Sequence, residues 1–133
     1  MDNIQKATIF NEAAAIVRKG WCKGYYAMTA EGRGIKPTAK RACRFCALGA
    51  IRRAVYNVLG EDCKLSTDIT DGVVMDGAML ECAEIVHKSL RLKEGSNGLG
   101  KDITKWNDRK HNNGEKVAKK YERIANLLQG AKL

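Results

Sequence analysis

Apolar residues recur at helical spacing in four stretches of the chain. They predict four helices, over residues 3–19, 38–59, 72–92 and 113–129. Asn3 and Thr38 are the predicted caps of the first two helices. Gly20, Gly60 and Gly130 follow the ends of three of them, as glycine commonly does at helix termini.

Two long connections separate these helices. Between Gly20 and Pro37, apolar and aromatic residues precede a glycine-containing turn, so we expect a small β-hairpin near residues 23–35. Residues 93–112 form the second connection, and structureless loops of that length are uncommon and often functional. We therefore expect one mainly α domain over residues 1–133, a compact bundle of about four helices with two long loops.

Composition narrows the class of protein. No run of about 18 apolar residues is present, so we expect no membrane span and no membrane partner. Five cysteines, an odd number, argue against a secreted disulfide framework and favour thiols in a reducing cytoplasm. We expect no cofactor, and the oligomeric state cannot be inferred from composition.

The net charge of +9 is distributed unevenly along the chain. Residues 18–53 hold ten basic residues and one acidic residue, whereas residues 61–94 hold four basic and eight acidic residues. Residues 101–133 hold nine basic and four acidic residues. This asymmetry predicts a surface that attracts anions, unless the acidic stretch neutralises the basic one.

A basic face on the predicted second helix is the main candidate for binding. At 100° per residue, Lys40, Arg41, Arg44 and Arg52 fall within an arc of about 120°. Arginine binds phosphate well because its planar guanidinium donates two parallel hydrogen bonds. The alternative interpretation is a solvated helix face, or one paired with the acidic stretch.

The last predicted helix carries a second set of cations at helical spacing: Lys116, Lys119, Lys120 and Arg123. They indicate a solubilising surface, or a helix that lies flat on phosphates.

Three patterns suggest chemistry without supplying a complete site. Residues 95–101 have the glycine and lysine spacing of a P-loop, but Asp102 stands where a Ser or Thr would hold magnesium. Cys43 and Cys46 have the spacing of one zinc-binding pair, without a second pair. Cys46 could also act as a nucleophile with one of the two histidines as its base.

Trp106-Asn107-Asp108 is the most distinctive local string. Asn107 or Asp108 could cap a turn while Trp106 anchors the long loop. Alternatively, Trp106 and Trp21 stack on a base and the polar pair reads its edge.

These strings also carry a resemblance. Trp21-Cys22, the segment 46–51 (CALGAI), Ile103 and Trp106-Asn107-Asp108 resemble a family of small uncharacterised proteins of bacteria and their phages. The resemblance covers residues 4–128. It implies a small helical domain of phage origin with no assigned activity, and the high positive charge of this chain departs from the family's pattern.

The leading prediction is a non-enzymatic protein that binds an anionic partner, either nucleic acid or a nucleotide. The predicted contacts are the four cations of the second helix with Trp21, Trp106, Asn107 and Asp108. One alternative is a phage-encoded inhibitor of a host defence complex, similar in role to anti-CRISPR proteins, whose partner is a host protein complex. A second alternative is a small thiol enzyme that uses Cys46.

Overall fold

The computed structural model describes residues 1–68, 72–91 and 97–130. Its five helices are α1 (Asn3–Lys19), α2 (Ala47–Leu59), α3 (Gly77–Ser89), α4 (Leu99–Asn107) and α5 (Gly114–Gly130). Four short strands form two antiparallel two-stranded sheets: β1 (Ala27–Met28) with β2 (Arg44–Phe45), and β3 (Leu65–Asp68) with β4 (Gly72–Met75). Helices hold 57% of the described residues, so the prediction of a mainly α fold is confirmed.

Helices α1 and α5 lie antiparallel and supply the largest side chains of the core. Phe10 of α1 meets Tyr121 of α5 edge to face, with ring centroids 5.6 Å apart. Near the end of α1, Arg18 forms ion pairs with Glu115 and Glu122 of α5. Both helices were predicted within one residue of their observed bounds, because their amphipathic pattern is regular over seventeen residues.

Helix α2 joins this pair to the rest of the fold. The hydroxyl of Tyr121 donates a hydrogen bond of 2.6 Å to the carbonyl of Ala47 at the start of α2. The predicted start at Thr38 is wrong, since residues 38–43 form turns and irregular backbone. The N-cap of α2 is Cys46, whose Sγ accepts a hydrogen bond from the Gly49 amide.

Long-range hydrogen bonds explain why the helix begins so late. The Phe45 amide donates to the Gly20 carbonyl at 3.0 Å, and the Phe45 carbonyl accepts from the Cys22 amide at 3.2 Å. These groups cannot also bond within a helix. The apolar periodicity of residues 38–46 therefore does not reflect a helix: residues 38–43 form turns and irregular backbone, and β2 covers only Arg44 and Phe45.

The predicted third helix is also shorter than expected. Its first four described residues form β4, in which Met75 lies opposite Leu65 and Gly72 lies opposite Asp68 of β3. β-Branched residues suit this strand. Helix α3 then begins at Gly77.

Each predicted connection contains ordered structure. Met28 and Gly34 form an antiparallel bridge, and the Thr29 amide donates to the Arg33 carbonyl at 2.9 Å, which closes a turn within residues 23–35. The second connection holds α4, so the prediction of a structureless loop over 93–112 is wrong for residues 99–107; residues 93–96 lie outside the described residues. Within the described ranges, no helix combines the length and apolar character needed to cross a bilayer.

Candidate functional site

The four cations predicted to share a helix face do not lie on one helix. Lys40 and Arg41 are in the turn before β2, Arg44 is in β2, and only Arg52 is on α2. Arg41 forms an ion pair with Glu31 at 2.7 Å, and Arg44 donates to a carbonyl of the turn that follows β1. The four cations therefore do not share a helix face, because the backbone under three of them is not helical.

Arg52 has a different environment from the other three. Its side chain is 11% exposed, and its Nη2 lies 2.8 Å from the Oδ1 of Asp62. Lys36 approaches the other oxygen of the same carboxylate at 3.7 Å. The hydrogen bond from Arg52 lowers the pKa of Asp62 below its ordinary value. Arg52 thus ties α2 to the segment before β3.

A concave surface formed by the described residues lies beside Arg52. It is an open cleft of about 1180 Å³ between the segment around β1, the β3–β4 hairpin and α4. The lining residues are Gly24, Tyr25, Tyr26, Ala27, Gly34, Ile35, Lys36, Pro37, Cys46, Arg52, Leu65, Ser66, Thr67, Gly72, Val73, Asn97, Lys101, Thr104, Lys105 and Asp108.

Helix α4 forms one wall of the cleft. Lys101, Thr104, Lys105 and Asp108 line it, at i, i+3, i+4 and i+7, a spacing that places them on one helical face. Lys101 and Lys105 are exposed, and neither forms an ion pair within the described part of the chain. The wall therefore offers two ammonium groups to the cleft.

Asn107 fixes the end of α4 from the opposite, buried side. Its Oδ1 accepts hydrogen bonds of 2.9 Å from the Trp21 indole and from the Ala47 amide. Its Nδ2 donates to the Cys22 carbonyl at 3.1 Å and to Asp108 at 2.8 Å. Because Asn107 is completely buried and both amide atoms are engaged, it positions α4 and Asp108 and does not face the cleft.

A second buried polar contact holds the start of α4. The Nε2 of His87 on α3 lies 2.7 Å from Oδ2 of Asp102, whose side chain is 5% exposed. The other oxygen of Asp102 accepts from the Asn97 amide at 3.1 Å. Both ends of α4 are thus anchored by side chains on its buried side.

The two tryptophans lie outside the cleft lining. Trp106 packs on Tyr121, with ring centroids 6.4 Å apart, and is partly buried against the core. Trp21 donates to Asn107, and Lys23 lies over its ring at 5.5 Å. Neither tryptophan therefore contributes a stacking surface to this cleft.

Aromatic lining comes instead from Tyr25 and Tyr26. Tyr26 is partly buried, and its hydroxyl lies 2.6 Å from Oγ1 of Thr67 on β3. Tyr25 is 52% exposed, with its ring packed against the backbone of Gly34. A Cβ at position 34 would lie 2.6 Å from the Tyr25 ring, so the close approach requires glycine.

Cys46 lines the cleft, although its side chain is almost completely buried. Burial raises its pKa to about 12, so the thiol is neutral at physiological pH. His87, one of the two candidate bases, is hydrogen-bonded to Asp102. No group of three or more His, Cys, Asp or Glu side chains in the described ranges is arranged to hold a metal ion.

The P-loop-like segment has a different structural context from a P-loop. Gly95 and Ser96 lie outside the described residues, and α4 begins at Leu99. The described element before it is helix α3, not a strand. Gly100 packs directly against Val73 of β4, where a Cβ would collide with the valine side chain.

Residues 1–127 match the model of a protein family described as a family of unknown function, DUF6197. The chain belongs to this family. The resemblance read from the tryptophan, cysteine and asparagine strings is thereby confirmed. No curated protein and no solved structure matches the chain.

In this DUF6197 protein, sequence reasoning missed Lys101, Lys105 and Tyr25 as cleft residues. The signal for the lysines was present, since Lys101, Thr104, Lys105 and Asp108 have the spacing of one helical face. The prediction of a loop over residues 93–112 hides this helical face. Tyr25 had no comparable signal, because its place depends on the contact with Gly34.

The charge of the cleft in this DUF6197 protein is positive. Among the described lining residues, Lys36, Arg52, Lys101 and Lys105 are cationic and Asp108 is anionic. Asp62 offsets part of the charge of Lys36 and Arg52. Of these four cations, the two lysines of α4 form no ion pair within the described residues, and Asp108 offsets part of their charge.

Proposed function

We propose that this protein binds an anionic ligand in the cleft beside α4, without chemical conversion of that ligand. The observation that carries the proposal is the pair Lys101 and Lys105, exposed on one face of α4 at the wall of the cleft. This is the ligand class predicted from the charge of the sequence, but with a different set of contacts. Of the four predicted cations, Arg52 is the one that lines the cleft.

The spacing of the two lysines suits phosphate or carboxylate groups. Residues four apart on a helix have Cβ atoms about 5–6 Å apart, so two flexible ammonium groups can converge on one anion. The walls reduce access of water, which strengthens the attraction relative to a flat surface. Each exposed charge pair contributes about 0.2–1 kcal/mol, so the two lysines together account for about a 2- to 30-fold difference in affinity.

The test uses inorganic polyphosphate as the probe and isothermal titration calorimetry at low salt. The variant Lys101→Ala/Lys105→Ala removes the pair. The matched control is Lys119→Ala/Arg123→Ala, which removes two exposed cations, also four residues apart, from α5 outside the cleft lining.

We expect the α4 variant to bind polyphosphate about 2- to 30-fold more weakly, and the α5 control to lose less affinity than the α4 variant does. Equal losses in both variants would show that binding follows overall charge and not the cleft. No binding by the original protein at low salt would refute the proposal.

The two alternatives stay predictions with separate tests. An inhibitor of a host defence complex should co-purify with a host protein and keep that activity when Lys101 and Lys105 are replaced. A thiol enzyme should lose activity on Cys46→Ser, and the raised pKa of Cys46 disfavours it.

A further inference from the structure

We infer that the anionic ligand is a single-stranded nucleic acid, with a base stacked on Tyr25 and phosphates bound by Lys101 and Lys105. This inference rests on the proposed function and specifies its ligand. Three observations carry it: the size of the cleft, the exposed ring of Tyr25 and the position of the cations.

The cleft is larger and more open than a pocket for one small molecule. Its volume of about 1180 Å³ exceeds the range of about 300–1,000 Å³ that is usual for small-ligand sites. Its walls come from three separate parts of the chain: the β1 region, the β3–β4 hairpin and α4. A chain-like ligand can enter and leave such a cleft at its open side, whereas a mononucleotide would leave much of it empty.

Tyr25 provides an aromatic surface that is already in place. Its ring is held against the Gly34 backbone and remains 52% exposed. Of the large hydrophobic side chains that are exposed in the described ranges, Tyr25 is the one that lines the cleft. Base–aromatic stacking tolerates any sequence, because every base has a π-face.

The combination of cations and an exposed aromatic ring distinguishes among anionic polymers. Proteins that bind single strands without sequence preference combine a positively charged groove with aromatic side chains. In a duplex the base faces are covered by neighbouring bases, so Tyr25 would have nothing to stack on. An acidic peptide or a polyphosphate would use Lys101 and Lys105 but would gain nothing specific from the ring.

The test compares three fluorescein-labelled probes by fluorescence anisotropy at low salt. They are a 12-nucleotide oligothymidylate, an abasic 12-mer with the same phosphates and no bases, and a 12-base-pair duplex. Unlabelled polyglutamate and polyphosphate serve as competitors. The variants are Tyr25→Leu, Tyr25→Phe and Tyr56→Leu, the last of which removes an exposed tyrosine of α2 outside the cleft lining.

We expect Tyr25→Leu to weaken oligothymidylate binding by about 5- to 160-fold, which is the range for loss of one stacked base. Tyr25→Phe should stay within twofold, because the aromatic face is kept, and Tyr56→Leu should have no effect. The original protein should bind the abasic probe more weakly than oligothymidylate. Tyr25→Leu should bind the abasic probe as tightly as the original protein does. Thermal unfolding of each variant establishes that it is folded.

Salt dependence gives a second readout for the phosphate contacts. The slope of log K against log salt for oligothymidylate should become shallower by about 1.4 in Lys101→Ala/Lys105→Ala, since each phosphate contact to a single strand contributes about 0.7. It should be unchanged in Tyr25→Leu, which removes no charge.

Each contrary outcome has a defined meaning. If the abasic or duplex probe binds as tightly as oligothymidylate, or if polyglutamate competes equally well, the ligand class is wrong while cleft binding of anions stands. Equal affinity of Tyr25→Leu and the original protein for oligothymidylate would also refute the inference. If none of the probes, polyphosphate included, binds at low salt, the proposed function fails as well.

Discussion

Replacement of Asn107 tests whether the end of α4 is held by buried hydrogen bonds. Asn107 is completely buried and connects α4 to Trp21, Cys22 and the first amide of α2. The substitution Asn107→Ala removes the shared acceptor and the shared donor together. Asn107→Leu keeps most of the side-chain volume but provides no hydrogen bond.

The expected loss follows from the groups left behind. The Ala47 amide is fully buried and Cys22 is 5% exposed, so neither backbone group has easy access to water. An unsatisfied buried polar group costs about 1–3 kcal/mol, which gives about 2–6 kcal/mol for the two. For a chain of this length we expect the melting temperature to fall by about 8–24 °C.

The assay is urea unfolding followed by circular dichroism, with the slope of free energy against urea checked for constancy. Asn57→Ala is the control, because Asn57 is exposed on α2 and donates a single hydrogen bond to Glu12. We expect the control to change the free energy of unfolding by less than about 0.5 kcal/mol. A loss below about 1 kcal/mol in Asn107→Ala, or full stability in Asn107→Leu, would refute the hydrogen-bonding argument.

Two further predictions concern charge and thiols. Arg18→Met should lower the melting temperature at pH 7 more than the control Lys19→Met does. The difference in melting temperature between the two variants should close as pH falls below about 4.3. Arg18 lowers the pKa of both glutamates that it pairs with, so the ion pairs stop stabilising the fold when the glutamates are protonated. A difference that is independent of pH would contradict this. In native protein at pH 8, iodoacetamide should label Cys43 first, since Cys43 is exposed whereas burial raises the pKa of Cys46 and of Cys82 to about 12. Mass spectrometry that finds Cys46 labelled as fast as Cys43 would overturn the assignment of a neutral, buried thiol.

The helices that could be predicted are those specified by local signals. Helix α1 has a regular apolar pattern and a capping box in which Asp2 accepts from the Gln5 amide, one residue before the predicted cap. Helix α5 repeats Val117, Tyr121 and Ile124 on its buried side. Such signals lie within a few residues of one another, so these two helices can be predicted without knowledge of the tertiary structure.

The segment before α2 could not be predicted in the same way. Its structure is set by partners that are distant in sequence: Phe45 bonds to Gly20 and Cys22, and Arg53 donates to the carbonyls of Pro37 and Ala39 at 3.0 and 2.9 Å. Periodicity records which positions are apolar but not which backbone groups are already bonded. The helix face predicted for Lys40, Arg41 and Arg44 is wrong for this reason: it required backbone groups that are already bonded elsewhere in the fold.

The ligand class and the contact residues depended on the sequence in different ways. Net charge is a sum over the chain and survives an error in secondary structure, so the prediction of an anionic partner did not depend on where the second helix began. A cationic face depends on the direction of each side chain. Because a nine-residue helix lies within the predicted loop, the proposed contact residues are Lys101 and Lys105 and not Arg41 and Arg44.

The geometry of α4 affects how binding measurements on this protein should be interpreted. An isolated helix of nine residues is unstable in water, so α4 depends on the contacts of its buried side, Ile103 and Asn107 among them. Lys101 and Lys105 lie on the exposed side of α4 that lines the cleft. Asn107→Ala should therefore weaken ligand binding by displacing the lysines, although Asn107 does not reach the cleft. A salt titration distinguishes displacement of α4 from loss of a lysine. Loss of a lysine makes the slope of log K against log salt shallower. Displacement of α4 keeps both charges, so the affinity falls while the slope changes less.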